Sequence, residues 1–193
     1  MNVLRVDPFN PDGKIVQEVV CCLNRGGIIL YPTDTVYGLG CKIDHQDAVK
    51  RIYKIKKRVA SNPLSIACSS IKMLEEYVHL ERKDKKFILD KAGEGYTFIL
   101  GKKNTVDDII SGSLNTVGIR LIPSPLVKAI IEGVGCPIVS TSANTSGGRS
   151  PSAIGGVEKE ILDGVDLVLD GGECRVGKPS RVVDLDSKKL LRD

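Results

Sequence analysis

Apolar residues at Ile15, Val16, Val19, Val20 and Leu23 recur every three or four positions. This spacing predicts an amphipathic helix, opened at Asn10-Pro11-Asp12 and closed by Gly26-Gly27 acting as a left-handed cap. A continuous apolar run over residues 28–31 reads as a buried strand, stopped by Pro32. Ala48, Val49, Ile52 and Tyr53 form the inward stripe of a second helix that starts near Asp44. Further strands are expected over residues 64–68, 96–100, 117–121, 137–141, 167–169 and 182–185, with 189–192 as a last edge strand. Between them fall one or two polar helices within residues 71–92 and a helix over 152–163. Another is opened by Ser124-Pro125, with Val127, Ile130 and Ile131 facing inward. Strands and helices interleave with no composition break and no repeat. The pattern therefore predicts one α/β domain over residues 1–193, a mixed sheet with helices packed against it.

Composition narrows the function classes. At 193 residues with 41% hydrophobic and 27% charged positions, the chain is neither disordered nor fibrous. Aromatics are 4% with no Trp, which disfavours a nucleic-acid platform of stacked rings. A net charge of +4 is compatible with an anionic ligand without being histone-like. The six cysteines form no C-x-x-C pair and only two histidines are present, so the clustered ligands of a zinc cage are missing. The first residues, MNVLRVDPFNPDG, lack an apolar signal core, and no stretch approaches the ~20 apolar residues of a membrane span. A cytoplasmic, reduced protein is the expectation, with Cys21 and Cys22 serving as small hydrophobes on the first helix.

Chemistry concentrates in four segments. Tyr31-Pro-Thr-Asp-Thr-Val-Tyr-Gly-Leu-Gly40 runs from a strand into a hydroxyl-rich turn ended by two glycines, where Thr33 and Thr35 offer donors and acceptors at a strand end. Residues 50–58 carry six basic side chains in nine positions. Lys50 and Lys54 share a solvated face, but Lys56 falls four residues after Ile52, in register with the apolar stripe. Pro63 forbids helix past Asn62, so Lys56, Arg58 and Asn62 are expected on a loop at a helix end, placed for a triphosphate. Val139-Ser-Thr-Ser-Ala-Asn-Thr-Ser-Gly-Gly-Arg-Ser-Pro151 follows directly on a strand and supplies backbone N–H groups and hydroxyls for an anion. It is neither a P-loop nor a hydrolase elbow. In Asn115-Thr-Val-Gly-Ile-Arg120, strand alternation puts Thr116, Gly118 and Arg120 on one face, with Arg120 able to grip a carboxylate. Singly, each also reads as ordinary structure: a polar turn, a charged helix end, a linker, a salt-bridge partner.

Together, and in this order, these blocks make the sequence resemble the YrdC-like family of threonylcarbamoyl-adenylate synthases over nearly its whole length. The resemblance rests on P-T-D-T-V-Y-G-L-G from Pro32, K-x-R-x-x-x-x-P-L from Lys56 to Leu64 and V-G-I-R at 117–120. It continues through S-x-S-A-N-x-S-G from Ser140, Ser150-Pro151, and Pro179-Ser180-x-Val-Val-Asp. It implies a single-domain, twisted, mixed open α/β sheet with a basic concave cavity. It also implies a nucleotidyltransferase that joins L-threonine, bicarbonate and ATP into threonylcarbamoyl-AMP and releases pyrophosphate. A separate transferase complex would then carry the group to tRNA.

Carried over position by position, the resemblance implies threonine contacts from Thr35, Arg120, Ser140 and Ser180. It implies nucleotide contacts from Lys56, Arg58, Asn62, Thr116, Ser142, Asn144, Ser150 and Arg192, with Lys56 and Arg58 in the catalytic role. Mg²⁺ is expected to arrive with ATP, held mainly by phosphate oxygens, and no protein metal site is expected. The sequence departs from longer relatives at Ala67, where a His often contacts threonine, and at Arg181, where Thr is usual. The substrate supplies its own nucleophile, so no activated Ser, Cys or His is needed; positioning, charge neutralisation and exclusion of water remain for the protein. The 56–63 loop is expected to close as a lid. Alternatives from other classes are a non-catalytic module for tRNA or double-stranded RNA, or a nucleotidyl transferase or hydrolase acting on another small acid.

Overall fold

The first helix begins where a cap was expected. In the computed structural model, which describes residues 2–193, the Asp12 carboxylate accepts from the backbone N–H groups of Lys14 at 2.7 Å and Ile15 at 3.3 Å, opening α1 (Gly13–Asn24). Gly26 takes the left-handed φ of +79° that reverses the chain, and a Cβ on Gly27 would sit 2.4 Å from Cys22 Sγ. The expected strands are present, together with two that were not expected, β1 (Val3–Arg5) and β3 (Gly38–Gly40); the first of the expected ones are β2 (Ile29–Tyr31), β4 (Ser65–Cys68) and β5 (Tyr96–Gly101). They continue in β6 (Thr116–Leu121), β7 (Ile138–Ser142), β8 (Leu167–Asp170), β9 (Arg181–Asp184) and β10 (Lys189–Arg192). The helices between them are α2 (Gln46–Ile55), α3 (Ile71–Glu75), α4 (Arg82–Lys91), α5 (Asp108–Ser111), α6 (Pro125–Val134) and α7 (Lys159–Gly164).

All ten strands join one mixed sheet in the order β1-β8-β2-β3-β7-β4-β6-β5-β9-β10. β10, an exposed edge as expected, pairs antiparallel with β9. Two expectations fail. Residues 152–163 are not one helix: a single 3₁₀ turn, Ile154–Gly156, is separated from α7, because Gly155-Gly156 lacks helix propensity. The two glycines after Val36-Tyr37 do not merely end a turn. With Leu39 they form β3, buried between β2 and β7. This strand needs glycine for close approach, since a Cβ on Gly40 would lie 2.9 Å from the Tyr31 ring and 3.1 Å from the Val139 carbonyl.

Register divides the sheet's two faces. Leu30, Leu39, Val139, Ile66, Ile119 and Phe98 point to one side, into the larger apolar core with α2. Ile29, Tyr31, Ala67 and Ile138 point to the other, where α1 and α6 cover them with Val19, Leu23, Leu126, Ile130 and Ile131. Those two helices cover only part of that face. Where they stop, the same row of positions becomes small and polar: Ser140 pairs with Ser65, Ser65 with Gly118, and Gly38 with Ser142. A row lacking large side chains leaves a concavity, and the cavity lies there.

Candidate active site

The cavity encloses ≈ 900 Å³ of empty space, its open mouth included. Its floor is that row of Ser65, Gly118, Ser140 and Ser142, and its walls carry Thr35, Thr97, Ser180, Arg58, Arg120 and Arg192. No Asp, Glu, His or Cys lines it. Gly118 keeps the floor open, because a Cβ there would meet Ser65 Oγ at 2.6 Å and Thr97 Cγ2 at 3.2 Å and displace them.

Arg120 is the most constrained of the three arginines. It is 7% exposed, donating from Nη2 to Asp34 Oδ1 at 2.6 Å and from Nη1 to Thr35 Oγ1 at 3.0 Å, while its buried Nε has no partner among the described residues. Asp34 is equally buried at 8%, so the pair is held by mutual need: either partner alone would be an uncompensated buried charge. The turn that presents Asp34 and Thr35 is braced by Thr33, whose Oγ1 donates to the Val36 carbonyl at 2.6 Å and accepts from the Thr35 and Val36 amides.

At the opposite wall, Ser180 and Thr97 hydroxyls lie 2.7 Å apart, and Arg192 donates to the Ser180 carbonyl from Nε at 2.9 Å and Nη2 at 2.7 Å. The C-terminal hairpin thus carries one cavity arginine on β10 and one cavity serine just before β9. Burial, then the charges of Arg120 and Arg58, depress the Arg192 pKa. Arg58 and Arg192, with no acidic partner among the described residues, border the same space as the Asp34-paired Arg120, an arrangement that an anion relieves. Arg58 reaches the rim from a loop: its Nε and Nη2 donate to the Asn62 and Pro63 carbonyls, at 3.1 and 2.8 Å, which leaves the guanidinium half-buried at the mouth.

That loop starts earlier than Pro63 alone requires. The second helix ends at Ile55 in a Schellman reversal with Lys57, not glycine, at φ +49°: Arg58 N–H bonds the Tyr53 carbonyl and Lys57 N–H bonds Lys54. Lys56, in register with the apolar stripe, does point inward. It does not reach the cavity. Lys56 is 1% exposed, and its Nζ donates to the backbone carbonyls of Ser142 and, at 2.7 Å, Asn144, while its own carbonyl accepts from Ser146 N–H. Burial, reinforced by Arg58, pushes its pKa down to about 7.

The structure therefore brings Thr35, Arg58, Arg120, Ser140, Ser142, Ser180 and Arg192 into one cavity lining, and leaves Lys56, Asn62, Thr116, Asn144 and Ser150 outside it. Asn144 and Ser150 are bound to their own loop: Asn144 Nδ2 donates to the Thr145 and Gly148 carbonyls and its Oδ1 accepts from Ser150 Oγ. Asn62 offers its carbonyl to Tyr53 and Arg58. Reading the sequence missed three participants: Asp34, Thr97 and Tyr31, whose hydroxyl donates to Ser140 Oγ at 2.8 Å. An acid between two threonines was the only local signal for Asp34; Thr97 and Tyr31 have none.

Among the described residues, no group of three or more acidic, His or Cys side chains could hold a metal, and no helix is long and apolar enough to cross a membrane. All six cysteines are free.

Comparison with known proteins identifies the family and the fold. A family model for Sua5, YciO and YrdC proteins, described as "Telomere recombination", matches residues 21–193. A threonylcarbamoyl-AMP synthase of Pyrococcus abyssi is 35% identical over 164 residues, 84% of this chain and 48% of that protein, so the chain spans about half of its relative. The structure of P. abyssi Sua5 complexed with L-threonine superposes with a TM-score of 0.91 at 31% identity, over all of this chain and 57% of that one. The crystal structure of Escherichia coli YciO gives 0.88 at 28% identity, over all of this chain and 96% of that one.

Proposed function

The chain belongs to the Sua5/YciO/YrdC family, and from that premise we propose that this enzyme condenses L-threonine, bicarbonate and ATP into threonylcarbamoyl-AMP, releasing pyrophosphate. The observation that carries the reading is the cavity in which Arg58 and Arg192, neither paired with an acidic side chain among the described residues, and the Asp34-paired Arg120 face a row of hydroxyls. Such a lining attracts carboxylate, carbamate and phosphate together.

Threonine's amine and bicarbonate form a carbamate with loss of water. A carbamate oxygen attacks the α-phosphorus of ATP, the bond from that phosphorus to the bridging oxygen breaks, and the electron pair leaves on pyrophosphate. Each step uses a nucleophile of the substrate, which explains a site made of positioning groups. In this reading the floor, with Arg120, Thr35, Ser140 and Ser180, takes the amino acid, and Arg58 and Arg192 at the mouth meet the phosphates. Lys56 acts from behind: by gripping two carbonyls it sets the path of the segment that carries Ser142. Magnesium would enter on the nucleotide as part of the substrate, since hydroxyls are the only neutral oxygen side chains the lining offers it. The product would serve a separate transferase acting on tRNA.

The test is pyrophosphate release from ATP with threonine and bicarbonate supplied together and omitted singly. Release that requires both supports the reading. Release indifferent to threonine, or none under any combination, refutes it.

A further inference from the structure

Tyr31 belongs to the apolar layer under α1 and α6 and bonds through its hydroxyl to Ser140 of the cavity floor. Its ring is wholly buried over Gly38 and Gly40, and its hydroxyl has a single partner, Ser140 Oγ, at 2.8 Å. Ser140 Oγ is the only acceptor within its reach among the described residues, so the phenol donates there, and burial, which lifts its pKa to about 12, keeps the proton on it. Ser140 Oγ therefore accepts from below. Among the described residues no second partner takes the serine's own proton, and Ser140 lines the cavity.

We propose that Tyr31 is a positioning residue that fixes Ser140 as a hydrogen-bond donor into the cavity, so that the floor reads an acceptor oxygen, the carboxylate of the bound amino acid, and discriminates against a donor in its place. The proposal rests on the threonine-binding reading above and adds what selects the ligand's orientation. An unrestrained serine hydroxyl turns to suit either a donor or an acceptor; one already accepting from a buried phenol retains only its proton for the ligand. Arg120 strengthens the same choice, because it lines the same cavity and its charge is felt at the Tyr31 phenol. Tyr31 touches no substrate in this scheme. It acts entirely through Ser140, and that makes it testable by a cycle.

The experiment measures L-threonine binding by calorimetry, and KM and kcat for pyrophosphate release, in wild type, Y31F, S140A and the Y31F/S140A double variant. Y31F keeps the ring over the glycines and removes one hydroxyl. It should weaken threonine binding and raise its KM by about three- to tenfold, the worth of one oriented hydrogen bond, with kcat within about twofold. S140A should cost as much or more, and the double variant no more than S140A alone. Full additivity of the two single effects, or wild-type binding by Y31F, overturns the proposal. If Y31F does not fold, S140A decides through the ratio of affinities for L-threonine and L-threoninol, which lacks the carboxylate. A ratio reduced relative to wild type supports the donor role and an unchanged ratio overturns it. Wild type that fails to bind threonine refutes the underlying reading, whereas wild type that binds it without coupling between Tyr31 and Ser140 refutes only this inference.

Discussion

Replacing Lys56 with methionine tests whether this lysine belongs to the scaffold of the site. Its Nζ supplies both donors for the Ser142 and Asn144 carbonyls at a position 1% exposed. Methionine fills nearly the same space and supplies neither. Each buried carbonyl left without its donor costs ~1–3 kcal/mol, so K56M should lose about 2–6 kcal/mol of stability, less what the thioether regains by apolar burial. The pH dependence is sharper. Native Lys56 titrates at about 7, against ~10.4 in the unfolded chain. Between those values the unfolded state holds a proton that the native state has released, so stability rises with pH through this window. A neutral amine still has two hydrogens for its two carbonyls. With half the native lysine charged at pH 7 and ~1.36 kcal/mol per unit above it, the gain from pH 7 to pH 9 is about 2 kcal/mol. Burial raises the thiol pKa of Cys41 and Cys68, which titrate in the opposite sense over part of this range. They do so in both proteins, so the quantity to follow is the difference between wild type and K56M. Urea unfolding at pH 7, 8 and 9, extrapolated linearly, measures it. A difference that stays constant with pH, or a variant as stable as wild type at pH 7, would refute the reasoning.

Arg58→Ala removes a rim guanidinium whose own bonds stay within its loop, at Asn62 and Pro63. Pyrophosphate release should fall by roughly 10²–10³-fold, the cost of losing one fixed charge-stabilising donor, while calorimetric threonine binding stays near wild type; unchanged turnover would remove Arg58 from the site. Asp34→Ala strands Arg120 as a buried cation and should destabilise by ~3–5 kcal/mol, seen as an early thermal transition, and a melting curve identical to wild type would mean the pair is not held in solution. Gly40→Ala forces a Cβ to 2.9 Å from the Tyr31 ring inside a central strand; overpacking there should cost ~1–3 kcal/mol, and a fully stable variant would contradict the packing of β3.

The local layers of this fold were open to reading. Helix stripes follow from residues three and four apart, and caps such as Asp12 and Ser124 act on amides two or three residues away, so α1, α2 and α6 were recognisable from their own letters. The segments carrying Thr35, Arg58, Arg120, Ser140 and Ser180 could likewise be picked out by their hydroxyls, glycines and charges, and they do converge. Gly38–Gly40 could not be recognised as a strand, because its reason lies in the ring of Tyr31 and the carbonyl of Val139, groups brought to it only by the assembled sheet.

Lys56 marks the same boundary from the other side. Periodicity correctly turned it inward, yet what waits there is decided by the 142–146 segment, some ninety positions along the chain, and it is a pair of carbonyls. The partners of Arg120, Tyr31 and Ser180 are likewise set by strand order. Short-range periodicity and turn chemistry decide which way a side chain faces, because they depend on torsions a few residues apart; what it meets there depends on which distant strands pair, and that only the folded sheet determines.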